Sequence, residues 1–170
     1  MYRKHLVALL TAVALAAPAM ATAQRLVYVV RHAERADGGA TTGTMSGAPA
    51  DPLLSAAGSA RADHLAAMLA DAGITAIYAT EFKRTQDTAR PLASKTKVSV
   101  STVAAAQTPA LLNELKTKHA NDVVLVVAHS NTMPAIITGL GGPAMTIGDN
   151  DYGDLFVIVP NTGTVSRIKF

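Results

Sequence analysis

Leu26-Val27-Tyr28-Val29-Val30-Arg31-His32-Ala33-Glu34-Arg35 decides the fold of this chain. Five apolar residues, three of them valine, run without alternation between Arg25 and Arg31. A strand covered on one face would alternate apolar and polar. A continuous β-branched run instead reads as a strand buried on both faces of a parallel sheet. The strand ends on a histidine flanked by arginines. Val123-Val124-Leu125-Val126-Val127 repeats the pattern and runs into Ala128-His129-Ser130-Asn131. Ile74 to Ala79 is a further strand, followed by Thr80-Glu81-Phe82-Lys83-Arg84.

Between these strands the sequence carries helical periods. Ser55 reads as a helix cap, with Ala57, Ala60, His64, Leu65, Met68 and Leu69 on a helical spacing and Gly73 ending the element. A helix is expected from about Glu81, with Pro91 kinking or ending it. Val98 to Val103 is a weaker strand. Thr108-Pro109 is a cap plus first-turn proline, opening a helix through Leu111, Leu112 and Leu115. Asn131 to Gly139 reads as a short helix. Leu155–Val159 and Thr164–Ile168 pair across Asn161-Thr162-Gly163 as a hairpin. Residues 36–52 hold four glycines and two prolines and read as a long irregular loop. The alternation predicts an α/β fold: a three-layer sandwich with a mainly parallel central sheet flanked by helices and a C-terminal hairpin at one side.

Composition bounds the function. The chain has 170 residues, 49% of them hydrophobic, which suits one domain with an aliphatic core. The absence of cysteine removes disulfides, thiolate nucleophiles and Cys-ligated zinc. The net charge of +3 is concentrated at the start: without Arg3 and Lys4, 13 basic residues face 12 acidic ones. No basic run marks a nucleic-acid surface. Residues 1–23 read as a secretory signal peptide, with a basic start, an apolar run from Leu6 to Ala17, and small-residue cleavage sites after Ala21 or Ala23. The apolar run is short for a membrane span, and an uncleaved anchor is the alternative. The expected domain is 24–170, periplasmic or secreted, with no stable membrane span after signal removal.

Ligands of open α/β sheets gather at the carboxyl ends of the strands. If the three strands above are neighbours, His32, His129, Arg31 and Arg84 converge there, and Arg35 can join them. Guanidinium groups form planar, multidentate clamps for oxyanions, so phosphate is the natural guest. An imidazole inside such a clamp is a nucleophile that is mostly neutral near pH 7. Asn131 is a further candidate for substrate contact. Metal binding is the competing use of two histidines, but no H-x-H or H-E-x-x-H spacing occurs and the arginines would repel a divalent cation. No metal and no other cofactor is expected. His64 and His119 lie in helical segments and read as structural or exposed.

Taken together, these residues resemble the histidine phosphatase superfamily, also called the phosphoglycerate-mutase-like family. Its Arg-His-Gly at the end of the first strand corresponds to Arg31-His32-Ala33, with Ala for Gly. Its Leu-Thr-x-x-Gly corresponds to Leu54-Ser55-Ala56-Ala57-Gly58. Its second arginine, before a Thr-Ala pair, corresponds to Arg84 before Thr88-Ala89. Its second histidine corresponds to His129 in Val127-Ala128-His129-Ser130. The resemblance implies that His32 accepts the phosphoryl group and that Arg31, Arg84 and His129 surround it. Members reading Arg-His-x-Glu-Arg-x-Asp, as Arg31 to Asp37 does, use the second arginine on phosphate too, which suggests that role for Arg35. Larger members carry a leaving-group acid after the third strand. Ser101 to Thr108 holds no Asp or Glu, and Glu81 is favoured here, with Glu34, Asp51 or no general acid at all as alternatives.

The function expected is hydrolysis of a small phosphate monoester through a phosphohistidine on His32. A phosphohistidine-protein phosphatase and a phosphomutase are alternatives within the family. A phosphate-ester binding module without turnover is the alternative from another class.

Overall fold

The computed structural model describes residues 26–38, 51–160 and 162–170. The signal-peptide reading of 1–23, and most of the 36–52 loop, fall outside them. The decisive run forms β1 (Leu26–Arg31). Ser55 caps α1 (Ala56–Leu69) as its spacing predicts, its side chain accepting from the Gly58 N–H. Then follow β2 (Ala76–Ala79), α2 (Lys83–Thr96), β3 (Val100–Thr102), a single 3₁₀ turn at Ala105–Gln107, and α3 (Thr108–Thr117). The chain continues through β4 (Val123–Ala128), α4 (Met133–Gly139) and the strands β5 (Asp154–Val159) and β6 (Thr164–Lys169).

The six strands form one sheet in the order β3-β2-β4-β1-β5-β6. Pairs β1/β4, β2/β4 and β2/β3 are parallel, while β1/β5 and β5/β6 are antiparallel. The expected C-terminal hairpin is therefore the edge of the sheet beyond β1. Strand residues alternate between two cores. Val27, Val29, Val124 and Val126 pack with Leu111 and Leu115 of α3 and Met133, Ile136 and Ile137 of α4. Val30, Ile77, Leu125 and Val127 pack with Leu65, Ala66 and Leu69 of α1 and Ala89 and Leu92 of α2. Helices thus cover both faces, which is why β1 and β4 carry no polar alternation. Each such aliphatic side chain contributes about 1.5–3 kcal/mol on full burial.

Some boundaries differ from expectation. Helix α2 starts at Lys83, because the Glu81 carboxylate binds the Ala105 N–H and Asp51 accepts the Lys83 N–H in its place. It runs through Pro91 to Thr96, so the proline does not end it. Helix α3 contains the expected first-turn proline, but Thr108 is already helical and its hydroxyl donates to Ala105 O rather than capping. Helix α4 begins at Met133, leaving Asn131 in the turn before it. His119 lies just past α3, between the Tyr78 hydroxyl and Asp122.

Candidate active site

Register explains how the two histidines meet. Arg31 pairs with Ala128 across β1/β4, and Ala79 pairs with Val127 across β2/β4. The three strands therefore end level. The residues that follow, His32, His129 and Thr80, leave the sheet side by side at its carboxyl edge, and the His32 N–H donates to Ala128 O at 2.9 Å. The two imidazoles sit edge to face with centroids 5.3 Å apart, and both are buried.

His32 is held as one tautomer. Its Nδ1 lies 2.8 Å from Ala33 O. A carbonyl oxygen only accepts, so Nδ1 carries the hydrogen and Nε2 keeps its lone pair. Burial, seconded by the nearby His129, Arg31 and Arg84, lowers the His32 pKa from 6.5 to about 3. The ring is a neutral base at physiological pH. Its loop is tied to α2 by Thr88, whose hydroxyl accepts the Ala33 N–H at 3.0 Å and donates to Arg84 O at 2.7 Å. On the other side Gly58 permits contact: a Cβ there would lie 2.2 Å from Glu34 O.

His129 is lowered to about 4, by burial first and Arg84 second. Its Nε2 is 2.8 Å from the Thr80 hydroxyl, and Thr80 continues to the Thr85 hydroxyl at 2.9 Å. Its Nδ1 faces Arg84 Nη2 at 3.5 Å, and Phe82 packs edge-on against the ring.

Arg31, His32, Arg35, Arg84 and His129 line one cavity of about 350 Å³, together with Gly38, Ser130, Asn131, Asp149 and Asn150. Burial and the proximity of Arg35 lower the Arg84 pKa from its ordinary value. Asp51 balances Arg84 at 3.7 Å, and Asp37 pairs with Arg35 at 2.5 Å. Arg31 stacks on Tyr152 with its guanidinium carbon 4.2 Å from the ring centre, and Nη1 donates to Asp149 O at 2.5 Å. The Arg31 Nε is buried without a hydrogen-bond partner. Three guanidinium groups crowded about two neutral imidazoles make a site of positive potential suited to an oxyanion.

Six of the expected residues, His32, Arg31, Arg84, His129, Arg35 and Asn131, are brought together. Glu81 is not among the cavity-lining residues, although its charge is felt at His129. Glu34 is taken by Arg61, whose Nε and Nη2 both reach its carboxylate. Among the described residues no group of three or more His, Asp or Glu side chains converges as a metal cage. Sequence reasoning missed the 148–152 segment and Ser130. That stretch has no period, and its only sequence signal is a run of Asp, Asn and Tyr just before β5.

The sequence model of the histidine phosphatase superfamily (branch 1) matches residues 27–107, from β1 through α2 to the 3₁₀ turn. Over that stretch the chain is similar to the histidine phosphatase superfamily. Its fold is similar to that of an alpha-ribazole phosphatase from Shigella flexneri, with TM-score 0.65 and 17% identity, covering 85% of this chain and 95% of that one. A mycobacterial glucosyl-3-phosphoglycerate phosphatase aligns with TM-score 0.63 and 16% identity, over 86% of this chain and 98% of that one. The same mycobacterial enzyme in complex with inorganic phosphate aligns with TM-score 0.61 and 15% identity, over 86% and 95%. No curated protein sequence matches the chain.

Proposed function

We propose that this chain is a phosphomonoesterase of the histidine phosphatase superfamily that transfers the phosphoryl group of a small ester to His32 and then to water. The observation that carries the reading is the state of His32: a buried, neutral imidazole whose Nδ1–H is spent on Ala33 O, leaving the Nε2 lone pair beside three guanidinium groups. A nucleophile of that kind needs no base to activate it. In the first step Nε2 attacks phosphorus and the ester oxygen departs. In the second, water attacks phosphorus and the P–N bond breaks, returning neutral His32 and inorganic phosphate. Arg31, Arg35 and Arg84 neutralise the equatorial oxygens, and His129 holds Arg84 toward them, its Nδ1 accepting from Arg84 Nη2 while its Nε2–H is bonded to the Thr80 hydroxyl. Asn131 contacts the ester group.

The test is a pre-steady-state burst with p-nitrophenyl phosphate. Purified wild type should release p-nitrophenol in a burst whose size matches the enzyme concentration if dephosphorylation is the slower step. A quench in base should recover an acid-labile phosphoenzyme. A folded His32→Ala variant with more than a few per cent of the wild-type rate would rule the mechanism out.

Export is part of the proposal, supported by the basic start, short apolar run and small residues of 1–23. Among the described residues no helix is long and apolar enough to cross a membrane. Mass measurement of the protein from the producing cell should show a chain starting at Thr22 or Gln24. Recovery from the cytoplasm with Met1 retained would reverse that part.

A further inference from the structure

We infer that Asp149, on the segment between α4 and β5, is the group that protonates the departing ester oxygen. The inference rests on the proposed phosphohistidine mechanism and supplies the acid that this mechanism lacks. Asp149 is the only carboxylate among the described residues that line the cavity of His32 and His129. The others nearby are committed. Glu34 is bound by Arg61, Asp37 by Arg35, Asp51 by the Lys83 N–H and Arg84, and Glu81 by the Ala105 N–H. None of these four lines the cavity, so none is placed to reach an ester oxygen held there.

Asp149 is placed differently. Its Oδ1 accepts from the Ser130 hydroxyl at 2.9 Å, and Ser130 directly follows His129. Its backbone oxygen accepts from Arg31 Nη1. Gly148 N–H donates to the Asp151 carboxylate at 2.8 Å, closing the turn that presents Asp149. The carboxyl group is thus fixed at the cavity wall by a neutral hydroxyl and by its own backbone, beside the place where phosphate is clamped. A bound phosphoryl dianion favours the protonated form of a carboxyl next to it. As Nε2 of His32 forms its bond to phosphorus and the P–O bond breaks, the Asp149 proton passes to the leaving oxygen. The resulting carboxylate then takes a proton from the water that attacks phosphohistidine, which restores the acid and releases phosphate.

A proton donor matters for a poor leaving group and is dispensable for a good one. The experiment compares kcat/KM of wild type, Asp149→Asn and Glu81→Gln on p-nitrophenyl phosphate, phenyl phosphate and glycerol 3-phosphate. Asn keeps the acceptor for Ser130 and the backbone bond to Arg31, so positioning is preserved. Asp149→Asn should lose about 10²–10³-fold on the poorer leaving groups, change by no more than a few-fold on p-nitrophenyl phosphate, and flatten the alkaline limb of the phenyl phosphate profile. Glu81→Gln should show no leaving-group dependence. An equal loss on all esters, no loss on any, or a leaving-group-dependent loss in Glu81→Gln overturns the assignment. His32→Ala separates this from the mechanism itself. If it abolishes turnover of every ester while Asp149→Asn fails the pattern, only the acid is misassigned. If wild type hydrolyses none of the three, both readings fall.

Discussion

At the residue scale the site is a balance of like charges. Arg84 is nearly buried, close to Arg35 and facing His129, with Asp51 at 3.7 Å. Its guanidinium lines the cavity together with those of Arg31 and Arg35, a grouping suited to an anion. Arg84→Ala is therefore expected to lower kcat/KM about 10²–10³-fold, as loss of a preorganised charged donor does. Arg84→Lys should stay clearly impaired, since it keeps the charge and loses the planar fork. The check is kcat/KM alongside thermal stability; a loss of rate only in step with unfolding would make Arg84 structural. His32, His129, Arg31 and Arg84 were legible in the sequence because each sits at or just past a strand end that hydrophobicity marks. The pairing of Arg84 with Asp51, rather than with Glu81 or Asp87 on its own segment, was not legible. Asp51 comes from a distant loop, and Asp87 is taken by Arg90 one turn on.

At the scale of elements, one close approach ties helix α1 to the loop that carries His32. Gly58 in the first turn of α1 lies against the backbone of Glu34, two residues after His32. Gly58→Ala places a methyl carbon 2.2 Å from Glu34 O unless the backbone moves. Overpacking of this kind costs about 1–3 kcal/mol, and the displacement passes to His32. The urea midpoint should drop and kcat/KM should fall by more than the unfolded fraction accounts for. A variant as stable and active as wild type would show that α1 does not brace the loop. The strands, the Ser55 cap and the hairpin were readable because valine runs, a Ser-x-x-Gly start and turn residues act locally. Two features were not. Helix α2 continues through Pro91 because its neighbours on α1 pack against it tertiarily, with Ala89 and Leu92 in one core. The loop from Gly141 to Gly153 has no periodicity, and its place over the site depends on Arg31, which contributes bonds to Gly148, Asp149 and Tyr152 from the far end of the sequence.

At the scale of the whole molecule, two buried neutral histidines make stability depend on pH. In the unfolded chain each takes up a proton near pH 6.5, whereas in the native protein His32 does so at about 3 and His129 at about 4. The unfolded state therefore binds more protons below pH 6.5, and stability is full above that value and falls as pH drops toward 4. Every tenfold difference in proton affinity between the folded and unfolded chain corresponds to about 1.4 kcal/mol. Thermal unfolding between pH 7 and 4.5 should show a declining Tm, with a shallower decline in His32→Ala/His129→Ala. A Tm independent of pH in wild type would contradict neutral burial. Because the cavity is lined by cations, chelation with EDTA should leave turnover unchanged; loss of activity restored by a divalent ion would contradict this. The central claim is that His32 Nε2 carries the phosphoryl group, and the most direct measurement is ³¹P NMR and peptide mass mapping of the base-quenched enzyme during turnover. A phosphoramidate signal and one phosphorylated peptide are expected, modified at His32 and absent from His32→Ala. Phosphate on another residue, or full turnover with no phosphoenzyme and an active His32→Ala, would contradict it.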